Sequence, residues 1–186
     1  MEVRVRILTE AEFQLDVQPL LQTLFQSLDP YGQPFLPAVR QRRIIYEYWY
    51  AMEEPFFSVM RDGAALLGEQ GFYMSFLGPP PEEQRHQPYH YYFNFRDHDI
   101  YQKLALPLQN VIVSERGSWG ILGSDEHFGL LGGTPRFMAY INTTYGHVSE
   151  QRAALIAAWE YNQQQYGSDV TWLPALLEHM TESTEV

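Results

Sequence analysis

The chain contains no cysteine and a single lysine, Lys103. The first absence removes disulfides, thiol catalysis and Cys-ligated zinc together. The second leaves arginine as almost the whole basic complement, and no Walker or GxGxxG pattern is present. Long apolar runs are missing too: Ile44-Ile45 and Gly129-Leu130-Leu131 are far too short to span a bilayer. The first residues, Met-Glu-Val-Arg-Val-Arg-Ile, alternate charged with apolar side chains and hold no apolar h-region, so no secretory signal is expected. The expectation is a soluble cytoplasmic protein without cofactor or metal.

What is present is apolar and aromatic. Of 186 residues, 45% are hydrophobic and 15% aromatic, enough for a folded core. The length suits one domain over 1–186. The net charge of −11 is unevenly spread: residues 44–93 and 147–186 each carry −5, while 1–43 balance and 94–146 sit at −1. Such a field repels nucleic acid and anionic membranes. Arg40, Arg42 and Arg43 form the one small basic cluster, read here as a solvated helix face.

Hydrophobic periods outline the elements. Val3, Val5 and Ile7 alternate with charge as in an edge strand. Val17, Leu20, Leu21, Leu24, Phe25 and Leu28 mark a helical face, with Asp16 as N-cap and Pro19 in the first turn. A second helix is expected from Pro37 to Met52 and a third from Pro55 to Leu67, closed near Gly68. Strands are expected at 72–77, 89–96, 111–114, 118–122 and 128–133, with a proline-rich surface loop at 78–83, a short helix at 99–104 and a turn at Gly117. Thr134-Pro135 reads as a helix start with a hydroxyl cap. Residues 147–186 read as a helical segment whose acidic tail frays from about 181. The class is therefore α+β: a mainly antiparallel sheet of about five strands with helices from both ends of the chain.

Several constellations bear on chemistry. His86 and His90 lie four apart behind Glu82 and Glu83, but Pro88 interrupts them and no HExxH pattern exists, so no metal site is expected. Ser124, Asp125, Glu126 and His127 share one turn, and His98 lies between Asp97 and Asp99. Neighbours on a turn point apart, so Ser124 and Asp125 are expected to cap the turn through the backbone, not to form a nucleophile and base. Gly129 to Gly133 precedes a helix start as phosphate cradles do, yet reads better as a strand leaving the sheet.

Aromatic density is the strongest signal. Tyr46-Glu47-Tyr48-Trp49-Tyr50 and Tyr89-His90-Tyr91-Tyr92-Phe93-Asn94-Phe95 are the two richest runs. In the second, Tyr89, Tyr91, Phe93 and Phe95 form the core face, leaving His90, Tyr92 and Asn94 to meet a partner or line a cleft. Tyr and Trp anchor protein interfaces because their rings bury large area at small entropic loss. The expected function is thus a non-catalytic protein-binding module for a basic partner, with Tyr46, Trp49, Tyr50, His90, Tyr92 and Asn94 as binding residues. Bacterial immunity proteins that neutralise toxins are one class of this description, by analogy alone. The competing reading is a small hydrolase using His98, Asp125, Glu126 and His127 or His90; a third is a homo-oligomer that buries the aromatic face.

Overall fold

The structure, a computed structural model, describes residues 5–78, 82, 88–104 and 108–181. His86, most of the proline-rich loop and the tail beyond 181 lie outside the described residues.

Seven strands form one antiparallel sheet: β1 (Val5–Leu8), β2 (Gln41–Tyr46), β3 (Gly71–Phe76), β4 (His90–Asn94), β5 (Asn110–Ser114), β6 (Trp119–Gly123) and β7 (Phe128–Gly133). Their spatial order is β1-β4-β3-β5-β6-β7-β2. Consecutive strands β3 to β7 pair with near neighbours, while β1 and β2 close the two ends.

Both sheet faces are covered. On one, Ile45, Phe72, Met74, Tyr91, Phe93, Ile112, Trp119, Ile121 and Leu131 pack under α3 (Phe56–Leu66), α4 (His98–Leu104) and α5 (Pro135–Tyr145). On the other, Ile44, Val111, Val113, Leu122, Phe128 and Leu130 meet the N-terminal helices, α6 (Val148–Tyr166) and α7 (Leu173–His179). The α+β class holds, with seven strands in place of about five.

The missed strand is β2. The helix expected over 37–52 does not form; Gln41–Tyr46 pairs with β7 from Gln41↔Gly133 to Tyr46↔Phe128. Burial of both faces erases the polar–apolar alternation by which a strand is read, and β-branched Ile44-Ile45 suits the pleat. The arginines change role with it. Arg43, read as part of a solvated helix face, is 1% exposed, and Arg42 is half-buried.

The first helix also differs from expectation. It opens at Glu10 because Thr9 and Glu12 form a capping box: Thr9 Oγ1 accepts the Glu12 N–H at 3.2 Å, and Thr9 N–H donates to Glu12 Oε2 at 2.7 Å. After α1 (Glu10–Glu12), Asp16 lies inside a π-helical turn, Phe13–Val17, and α2 (Gln18–Gln22) follows. Pro19 has no N–H for an α-helical bond, and the wide turn just before it absorbs that mismatch. Helix stops at Gln22, and Phe25 then bridges Phe35. Thr134 precedes α5 as expected, but its hydroxyl makes no cap bond; its main-chain N–H donates to Ser118 O at 2.8 Å instead.

Candidate functional site

Where β2 ends, the chain enters the loop at residues 47–55. Glu47 and Tyr50 take positive φ, 64° and 66°, a region that non-glycine residues rarely occupy. Such a backbone persists only when its surroundings over-determine it, and here they do. The Tyr48 main-chain N–H donates to His127 O at 3.1 Å, and its hydroxyl donates to Asn110 Oδ1 at 3.1 Å. Asn110 Nδ2 donates to Tyr50 O at 3.0 Å. Tyr101 Oη accepts from Met52 N–H at 2.8 Å. Strand ends and α4 therefore hold the loop from below.

This pinning brings two separate sequence signals together. The Trp49 indole lies against the His127 imidazole, with centroids 3.9 Å apart, and Tyr50 Oη meets His127 Nε2 at 3.2 Å. His127 itself has φ 62°. Ser124 Oγ caps its turn, accepting the N–H groups of Glu126 at 3.1 Å and Phe128 at 3.2 Å. Asp125 turns elsewhere, accepting from Tyr31 Oη at 2.7 Å and Gln109 Nε2 at 3.1 Å. Burial opposes its charge, but those two donors hold its carboxyl below the usual range. Glu126 is exposed.

Beside Trp49 opens a cleft of about 440 Å³. Its lining includes the carboxylate residues Glu47, Glu53, Glu54 and Glu150, the aromatic residues Trp49, Phe56 and Tyr145, and Gln151 from the start of α6. None of the described lining residues is basic. Trp49 is 48% exposed. Tyr46 touches the cleft, though its ring packs on the second core cluster.

Behind the far wall sits Arg43. It donates to Gly146 O and Gln151 Oε1 at 2.7 Å each and to Asn142 Oδ1 at 3.2 Å, and its guanidinium carbon lies 5.2 Å from the centre of the Tyr145 ring. Its Nε is buried without a partner. Burial pulls its pKa down to about 10. The side chain ties β2 to the α5–α6 corner and so joins the two walls.

The other expected binding residues lie elsewhere. His90 is covered by Phe13, with centroids 4.0 Å apart, and meets Ser75 Oγ at 2.9 Å and Glu10 Oε2 at 3.1 Å. A hydroxyl, imidazole and carboxylate in contact are the parts of a hydrolase triad. Ser75, however, is 3% exposed, and Phe13 occupies the approach over the imidazole. Tyr92 donates to Glu115 Oε1 at 2.6 Å, and burial together with that carboxylate raises its phenol pKa. Asn94 Oδ1 accepts from Arg96 N–H at 3.0 Å. His98 packs on Phe57 at 4.0 Å and bonds Met52 O at 3.2 Å. Among the described residues no three His, Asp or Glu converge to hold a metal ion, and no helix is long and apolar enough to cross a membrane.

The aromatic run and the 124–127 turn mark Tyr46, Trp49, Tyr50 and His127 in the sequence, but not the acids around them. Glu53-Glu54 before a helix-opening proline is a visible signal; Glu150 and Tyr145 come from distant chain and carry none. No family model, curated protein or solved structure matches the chain.

Proposed function

We propose that the chain is a non-catalytic protein-binding module, an acidic inhibitor of the immunity type, that engages a basic protein at the cleft beside Trp49. The observation that carries this reading is the cleft's composition: four Glu residues around aromatic walls, with no basic residue in the described lining. Charge complementarity steers a basic partner to such a face and rejects acidic ones. An exposed indole held on a neighbouring ring is already ordered, so it loses little conformational freedom on docking. The net charge of −11 supports the same polarity of partner over the whole surface.

The test is capture from the source cells with wild-type protein and with Trp49→Ala in parallel. A basic protein retained by wild type, released by salt and lost with Trp49→Ala supports the reading. A partner that is acidic, or one held equally by the variant, overturns it.

A further inference from the structure

We infer that the cleft receives one arginine side chain from the partner, stacked beside Trp49 and paired with the carboxylates around it. This rests on the reading above and narrows it to a single chemical group. Carboxylates alone would make a solvated rim. Here Glu47, Glu53, Glu54 and Glu150 frame a concavity walled by Trp49, Phe56 and Tyr145. At about 440 Å³ it has the size of a small-ligand pocket, not of a flat protein contact.

Guanidinium suits both parts of that wall. It is planar, stacks on aromatic faces, carries five donors in a fixed fork, and is less strongly hydrated than ammonium. His127 lies against the indole, leaving a ring that is still 48% exposed and lines the cleft. The carboxylates at the mouth come from two sides, Glu53 and Glu54 ahead of α3 and Glu150 in α6. A forked donor can serve acceptors on both sides at once, whereas an ammonium acts as a point charge. Arg43 turns its donors to Asn142, Gly146 and Gln151. At the rim, His147 Nδ1 lies 3.9 Å from Glu150 Oε1 and the Arg61 charge is near enough to Glu54 to act on it, while the described lining itself sets four carboxylate residues together with no basic one among them.

The experiment uses blocked tripeptides, acetyl-Gly-Arg-Gly-amide with its lysine and citrulline counterparts, titrated into the full chain. The readout is the NMR signal of the Trp49 indole N–H, assigned by its loss in Trp49→Phe. The arginine peptide should shift it saturably, with a dissociation constant on the order of 1 mM for so small a ligand. The lysine peptide should bind several-fold more weakly and the uncharged citrulline peptide should leave the signal in place. Glu53→Gln/Glu54→Gln, at exposed positions, should weaken the arginine peptide about tenfold at an unchanged melting temperature. No shift with the arginine peptide, equal shifts with citrulline or lysine, or indifference to the double substitution overturns the arginine site. The partner reading fails separately, through the capture experiment: a basic protein that needs Trp49 but ignores Glu53→Gln/Glu54→Gln keeps the module and removes the arginine pocket.

Discussion

Arg42 holds His179 at two points: its Nη1 lies 3.0 Å from the ring Nδ1 and donates to the main-chain oxygen at 2.6 Å. On the other side of the ring, Nε2 accepts the Phe35 N–H at 3.1 Å. With Nε2 accepting, the proton of the neutral ring sits on Nδ1 beside the Arg42 charge, and a second proton on Nε2 would break the Phe35 bond. Arg42 also donates to the carbonyls of Leu36 and Val39. One guanidinium thus joins the start of β2, the segment before it and the end of α7.

A pH dependence follows. Burial, then the Arg42 charge, push the His179 pKa down from 6.5 to about 4. Between those values the unfolded chain binds a proton that the folded chain refuses, so stability falls as pH drops through that window. Melting temperatures recorded from pH 8 to pH 4 should decline less steeply in His179→Gln than in wild type. Parallel curves would show that this ring is not responsible.

Arg43 predicts the opposite kind of repair. Its side chain is 1% exposed, and its bonds to Asn142, Gly146 and Gln151 go to neutral acceptors. Gln151→Glu would place a carboxylate where Oε1 already lies 2.7 Å from Nη2. Charge assistance should then add about 1 kcal/mol of stability at neutral pH. A glutamate whose folded pKa is depressed loses that gain as pH falls through it, so the benefit should be absent at pH 3. Denaturant titrations at the two pH values test both halves. Arg43→Lys, which cannot reach three acceptors, should destabilise by about 2 kcal/mol.

The two faces of β4 should respond unequally. Phe93 is 0% exposed, between the rings of Phe72 at 5.7 Å, Tyr91 at 5.6 Å and Tyr101 at 5.2 Å. Phe93→Ala should cost about 3–5 kcal/mol. Tyr92→Phe removes only the half-buried bond to Glu115 and should cost about 1 kcal/mol. Chemical denaturation of both variants decides; comparable losses would mean that the Tyr92–Glu115 contact is as structural as the core.

Close backbone approach makes a fourth prediction. A Cβ at Gly71 would stand 2.3 Å from Phe93 O and 2.5 Å from Tyr92 Oη. The first of these is main chain on the partner strand and cannot swing away. Gly71→Ala should therefore destabilise by about 1–3 kcal/mol or more and loosen the β3–β4 pairing, visible as faster amide exchange at Phe93 and Phe95.

Much of this fold can be read from the residues. The alternation at 72–77 and 89–96, and the short run after a turn at 128–133, mark strands that are present, and Thr134-Pro135 marks the start of α5. The failures share a cause. Gln41–Tyr46 buries Arg43, Ile44 and Ile45 in succession and sets two arginines side by side, so polar and apolar residues do not alternate along it. In the segment after Gln22, apolar residues at helical spacing are buried, as Leu24 and Phe25 are, without a helix to carry them. The cleft was half legible. Its aromatic residues stood out as a run, but the contact between Trp49 and His127 joins residues far apart in sequence and appears only once β2, β6 and β7 are in register.

Two missing side chains explain why Trp49 stands where it does. The ring of its neighbour Tyr48 lies flat on β6 and β7, where a Cβ at Gly123 would come within 2.6 Å and one at Gly129 within 3.1 Å. The strands are hollowed at that spot, and the loop is moored there by a ring, as a peg is by its socket. Trp49 inherits its coordinates from this mooring. Variation at Gly123 or Gly129, both buried in the sheet, would then retune the cleft without altering a single residue of its rim. Any attempt to graft the 47–50 loop onto another sheet must carry those two empty places with it.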